Sequence, residues 1–244
     1  MSDSIDLGRR SVPAGFESDP QKAAFAAADA HGTVDDRVVF DDISIVIPTN
    51  RPDNYTSESA PEYADIVVRT DDGLNVARNR GVKEADNDWI VLVDDDITFP
   101  TRLTAILVDS MHERHLVGIE DFWPMRWVLG RYMIFHRSLW QAAGGFDESR
   151  PHGGDTDFAI RCEDVGARVL RLPRKIVPHH DETSNFTTAA HAEWLWYLTK
   201  NHPLTVAPIA IKLVGRKLGF LESNEFDYPD GFKSQANVPP MRDD

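Results

Sequence analysis

The chain has 244 residues, 41% of them hydrophobic, which suffices for one substantial core and most simply a single domain with tails. Its net charge of -14, from 40 acidic against 26 basic residues, excludes a generic nucleic-acid-binding surface, which would be basic. Met1 to Arg10 lacks an apolar signal core, no stretch approaches the roughly 18 uninterrupted apolar residues of a membrane span, and the lone Cys162 supports neither an internal disulfide nor a thiolate cluster. A reducing, cytoplasmic setting is expected, with at most peripheral contact at the inner face of a membrane. Acidity spread along the whole chain fits a protein kept soluble by charge where salt screens self-repulsion.

Residues 1–38 are polar and Ala-rich without a strong period and read as a flexible leader, with a short helix over Gln21 to Ala30. Order begins with Ile43-Ser44-Ile45-Val46-Ile47, a β-branched run ended by Pro48, the pattern of a buried strand. A polar loop through Pro61 leads to a second strand, Ala64 to Val68, which Asp71-Asp72-Gly73 breaks with turn chemistry. Asn75 to Ala85 reads as a helix and Trp89 to Val93 as a third strand, an order that implies right-handed parallel crossovers. Pro100 starts a helix to about Glu113, followed by strands over Leu116 to Ile119 and Tyr132 to Phe135 on either side of the aromatic segment Phe122 to Trp127. Ser138 is expected to cap a helix closing at Gly144-Gly145, and Asp155 to Val165 forms another, ended by Gly166. Short strands at Arg168 to Leu172 and Ile176-Val177 precede C-terminal helices over Ala189 to Lys200 and Val206 to Leu218, so the ordered unit spans 39–220 and 221–244 is a disordered tail.

Three elements carry candidate chemistry. Asp94-Asp95-Asp96 closes an apolar strand, where adjacent carboxylates repel unless a cation joins them, and a hard divalent ion takes such oxygen ligands. Ligands of α/β sheets also gather at the carboxyl ends of strands, which brings in Pro48, Thr49, Asn50 and Arg51 after the first strand. The third element is Gly144-Gly145-Phe146-Asp147-Glu148 with Gly153-Gly154-Asp155-Thr156-Asp157, in which Asp155 either caps a helix or serves a substrate.

Together the runs Ile43 to Arg51, Gly73 to Gly81, Trp89 to Asp96, Gly144 to Glu148 and Asp155 to Arg161 resemble the family 2 glycosyltransferases, from about Asp42 to about Ser184. The resemblance implies an α/β fold of GT-A type, a Rossmann-like mixed sheet flanked by helices, and inverting transfer from a nucleotide-sugar donor to an acceptor hydroxyl. It implies a DxD site in which Asp94 contacts ribose or metal and Asp96 ligates Mn²⁺ or Mg²⁺, completed by His179 or, less favoured, its neighbour His180, with Ser184 beyond. By the same resemblance Asp155 is the general base and Arg78 and Asn79 lie near the nucleotide. Asp71 or Asp72 accepts a hydrogen bond from its base, and Asn75 and Asp95 join the donor site. Relatives carry Glu where this chain has Gly154.

The acceptor, a glycan or lipid-linked molecule, is expected near Trp123, Trp127 and Asp157, where aromatic faces either stack on sugar or fill the core. The segment Trp194 to Tyr197 and the helix Val206 to Leu218 with Lys212, Arg216 and Lys217 suit either a membrane surface or a cover for the sheet. Two other classes compete: a haloacid-dehalogenase-type phosphohydrolase, because Asp94-Asp95-Asp96-Ile97-Thr98 satisfies its DxDxT nucleophile pattern, and a non-catalytic nucleotide-sugar binder.

Overall fold

The computed structural model describes residues 40–51, 53–121, 124–150, 153–172, 177, 179–180 and 188–221. The expected leader with its helix, the tail from Glu222, and Phe122, Trp123, Ile176 and Ser184 lie outside the described residues.

Six strands form one sheet in the order β2-β1-β3-β5-β4-β6. They are β1 (Ile43–Pro48), β2 (Asp65–Arg69), β3 (Trp89–Val93), β4 (His115–Glu120), β5 (Val128–His136) and β6 (Arg168–Leu172). β1 pairs parallel with β2 and β3, and β4 with β6, while β5 runs antiparallel between β3 and β4. The sheet is therefore mixed, as expected. Side chains alternate across it with period two. Val46, Ile90, Leu92, Leu116, Met133 and Phe135 build a core on one face. Ile45, Ile47, Val91, Val93, Val117 and Ile134 build a second core on the other.

Helices cover both faces. They are α1 (Tyr55–Ser59), α2 (Leu74–Glu84), α3 (Thr101–Ser110), α4 (Arg137–Ala143), α5 (Gly154–Asp164), α6 (Thr188–Asn201) and α7 (Pro203–Lys217). α3 lies over the second core through Ala105, Leu107 and Val108, whereas α5, α6 and α7 supply Phe158, Trp194, Leu198, Val206 and Leu213 to the first. The C-terminal helices thus cover the sheet by one face.

Three local readings change. The loop before Pro61 contains α1, a single turn nucleated by Asn54, whose Oδ1 accepts from Ser57 N–H at 2.8 Å. The fifth strand begins at Val128 rather than Tyr132. α4 is capped by His136, whose Nδ1 accepts from Ser138 N–H at 3.2 Å, so Ser138 is the donor and not the cap.

Candidate active site and metal centre

The acidic triplet leaves β3 at the centre of the sheet, and the chain there is tied down from three sides. Asp94 N–H donates to Arg131 O on β5 at 2.9 Å, continuing the β3–β5 pairing by one residue. Thr56, fully buried in α1, donates through Oγ1 to Asp94 O at 2.6 Å and accepts from Ile97 N–H at 3.1 Å. Beyond the triplet, Ile97 bridges to His179 as an isolated antiparallel pair, and His180 N–H donates to Asp96 O at 2.8 Å. That bridge delivers His179 to the carboxylates.

Asp94, Asp96 and His179 bring one ligand atom each within 4.8 Å of one another. His179 Nδ1 lies 3.3 Å from Asp96 Oδ2, and Asp96 Oδ1 is buried with no hydrogen-bond partner among the described residues. A buried carboxylate oxygen left unpaired beside a second carboxylate and an imidazole is what a divalent ion would satisfy. Mixed oxygen and nitrogen donors suit Mn²⁺ and also accommodate Mg²⁺. His180 is occupied elsewhere, its ring stacked on Tyr55 at 4.2 Å and its Nε2 2.8 Å from Thr98 Oγ1.

Electrostatics inside the cluster follow from burial. Asp94 is pushed up to about 6 by burial and by the Asp96 charge, against the pull of Arg78, His179 and Arg131. Burial also opposes charge on Asp96, but its hydrogen bond to His179 wins and holds it below the usual carboxylate range. The same contact raises His179 despite the penalty of burial.

The middle aspartate belongs to a different contact. Asp95 Oδ2 accepts from Thr49 Oγ1 and faces Arg51 Nε at 3.9 Å, so it pins the loop after β1. Thr49 also returns to Arg51 by accepting its N–H at 2.8 Å, which leaves Asn50 exposed at the turn after Pro48. Asp71 is half-buried and its carboxylate bridges Arg69 and Arg80, clamping the end of β2 to α2. This holds it to about 2, chiefly through Arg69. With both oxygens of Asp71 committed, Asp72, exposed at the turn, is the free acceptor of the two.

α2 turns its polar side chains inward. Arg78 is buried, and its guanidinium occupies the space above Gly130 that a side chain there would need. Asn75 donates to Asp147 O at 2.8 Å and Arg150 O at 3.1 Å, while Asn79 accepts from Phe146 N–H at 2.8 Å, so α2 holds the glycine-rich segment before α5. Asn75 also fills the space over Gly154, where any Cβ would strike it. The chain thus has Asn75 in the volume that a larger residue at position 154 would claim.

Asp155 is the second residue of α5, after Gly153 in the left-handed conformation. Its two oxygens divide between its own helix and β5: Oδ1 accepts from Thr156 N–H at 2.9 Å and Oδ2 from Gly130 N–H at 2.8 Å. The adjacent residue, Arg131, accepts the Asp94 N–H. Asp155 and the acidic triplet are therefore anchored on neighbouring residues of one strand. Arg131 was not among the sequence candidates; its position opposite Asp94 depends on a strand register that local pattern does not reveal.

Two candidates are corrected by burial. Trp127 is fully buried, with Nε1 donating to Glu163 Oε2 at 3.0 Å, and it packs the core instead of facing an acceptor. Asp157 is buried and held by Arg161 at 2.7 Å and by His202 at 2.8 Å, fastening α5 to the α6–α7 junction.

The mixed sheet thus carries an acidic cluster at the end of its central strand and a further carboxylate, Asp155, anchored on the neighbouring strand β5. Residues 39–155 match the model of Glycosyl transferase family 2. Among solved structures, mannosyltransferase PcManGT from Pyrobaculum calidifontis, in complex with GDP-Man and Mn²⁺, is 15% identical over 80% of this chain and 68% of that one, with a TM-score of 0.44. The catalytic domain of Drosophila beta1,4galactosyltransferase 7, in complex with xylobiose, is 16% identical over 61% of this chain and 72% of that one, with a TM-score of 0.38. No curated protein sequence matches the chain. The match favours a glycosyltransferase over the phosphohydrolase.

Proposed function

We propose that residues 39–220 form one catalytic unit that moves a sugar from a nucleoside-diphosphate sugar to an acceptor hydroxyl with inversion, acting in the cytoplasm. The observation that carries this reading is the shared anchorage of Asp155 and Asp94 on Gly130 and Arg131. Asp94, Asp96 and His179 would hold Mn²⁺ or Mg²⁺ as the DxD site. A divalent ion held there would neutralise charge on the departing diphosphate.

Around it the chain's own residues bind, orient and move a proton. Arg131, whose charge acts on Asp94, Asp96 and His179 alike, stands beside the place of the diphosphate and binds it together with Arg78. Pro48, Thr49, Asn50, Arg51, Asp72, Asn75 and Asp95 line or support the nucleotide side. Asp155 accepts the proton of the acceptor hydroxyl as its oxygen bonds to the anomeric carbon. The bond from that carbon to the diphosphate breaks on the opposite side, and the electron pair leaves with the nucleoside diphosphate. The acceptor is a glycan or a lipid-linked molecule.

Calorimetry and turnover with a panel of nucleotide-sugars test these roles together. Asp155→Asn is expected to abolish transfer with donor affinity kept, Asp96→Ala to weaken metal-dependent donor binding at least tenfold, and Arg131→Ala to weaken donor binding without weakening that of the metal alone. Unchanged turnover in Asp155→Asn removes Asp155 from the base role.

A further inference from the structure

The candidate metal ligands reach one another from two separate stretches of chain. Asp94 and Asp96 leave the end of β3, whereas His179 arrives from a segment beyond β6. The backbone of that segment meets the triplet through a single isolated bridge, Ile97 to His179. One bridge orders a strand segment poorly, so the side chains around it decide where His179 stands. Neighbouring side chains of a segment paired as a strand face opposite ways. With His179 turned to the carboxylates, His180 faces the other side, and there it meets Tyr55 and Thr98.

The His180 ring is held on its face and at its edge. Tyr55 stacks on it, with ring centroids 4.2 Å apart and planes 15° from parallel, and Nε2 lies 2.8 Å from Thr98 Oγ1. The His180 backbone N–H adds a bond to Asp96 O at 2.8 Å. Tyr55 is 52% exposed and neither ring belongs to a core of the sheet, so the stack brings little burial to the fold. Its effect falls on the segment that carries His179. Two consecutive residues of α1 thereby hold both halves of the cluster. Thr56 Oγ1 donates to Asp94 O and accepts from Ile97 N–H, while Tyr55 grips His180. Supports of this kind orient a metal ligand, and so set the affinity of its site, without touching the ion.

We propose that Tyr55 and His180 are positioning residues of the metal centre: their stack, braced by Thr98, fixes the segment that presents His179, so that the site is set for a divalent ion before any nucleotide arrives. This rests on the reading of Asp94, Asp96 and His179 as a metal centre, though not on the transfer reaction itself. His180 is thus no second ligand but the support of the first. The same arrangement ties the metal to the nucleotide side of the sheet, because α1 follows directly on the loop after β1 that Asp95 pins through Thr49.

Mn²⁺ alone, titrated into the full chain without nucleotide, tests this by calorimetry and by the electron spin-echo spectrum of the bound ion. Wild type is expected to bind Mn²⁺ with the nitrogen coupling of one imidazole, and His179→Ala to lose that coupling. Tyr55→Ala and His180→Ala should each weaken Mn²⁺ roughly five- to tenfold, keeping wild-type circular dichroism and the nitrogen coupling of the ion that still binds. Tyr55→Phe, which keeps the ring, should stay within about twofold of wild type. The double variant Tyr55→Ala, His180→Ala should lose about as much as the larger single, because the stack can be lost only once. Thr98→Val removes only the edge contact and should cost about threefold. Wild-type affinity in Tyr55→Ala, additive losses in the double variant, loss of the nitrogen coupling in His180→Ala, or no uptake of Mn²⁺ by wild type would each overturn the proposal. If Tyr55→Ala fails to fold, Thr98→Val decides, and an unchanged affinity there overturns the proposal as well. Wild type that takes up Mn²⁺ in this way but binds no nucleotide-sugar would keep the positioning role and sink the transfer reading instead.

Discussion

Asp94 shows how much a single residue gives up in stability to hold its place in the site. Its folded value of about 6 lies above the ordinary 3.8, so ionising it disfavours the fold. The group therefore weakens the protein at neutral pH, and the penalty shrinks as pH falls through 6 and vanishes below 3.8. Asp94→Asn keeps the shape without the charge. In metal-free urea denaturation it is expected to be more stable than wild type by about 2 to 3 kcal/mol at pH 7.5, with the gap narrowing below pH 6 and closing near pH 4. Added Mn²⁺ should raise the wild-type midpoint and leave the variant's unchanged. A constant gap across pH would mean that the buried charge is not its cause. At this scale the sequence announced the acidic residues by their crowding, since no folding need explains three adjacent carboxylates after an apolar strand. It did not announce Arg131 or Thr56, because each reaches the triplet only through contacts made after the chain has folded.

Elements were legible where a period repeats long enough to be read. β1, β3, α2 and α5 stand out because buried β-branched runs and helical spacing persist through them, and their order already implied parallel crossovers. α1 escaped because one turn has no period, and it exists only through the Asn54 cap and the Thr56 contacts. The first half of β5 escaped because Gly130 and Arg131 interrupt the apolar alternation, and those two residues anchor the site. The junction between α5 and α6 is equally dependent on tertiary packing. Gly153 has a φ of 75° and a Cβ there would fall on the Trp194 indole. Gly153→Ala should therefore cost at least about 1 kcal/mol from the left-handed backbone alone, before the clash is counted. Urea midpoints are expected to fall accordingly, and transfer to drop further than donor affinity, because the displaced segment carries Asp155 and not the metal ligands. Equal losses of transfer and donor binding would contradict this division of the site.

Across the whole molecule the fold separates two electrostatic regimes. A net charge of -14 pushes the compact chain apart, yet the stretch from Trp194 to Leu221, which makes up most of the C-terminal helix pair, is without acidic residues. Neither regime follows from composition alone: the total charge was legible at once, but which side of α7 stays open depended on how the helix docks onto the first core. Salt tests the first. Screening lengths shrink from about 10 Å at 0.1 M to about 3 Å at 1 M, which relieves self-repulsion in the folded state more than in the expanded unfolded one. The urea midpoint at pH 7.5 is therefore expected to rise steadily between 0.1 and 1 M KCl, with most of the gain below 0.5 M, where screening changes fastest. A flat midpoint across that salt series would show that the acidic surface is already neutralised by its own ion pairs and places no load on the fold.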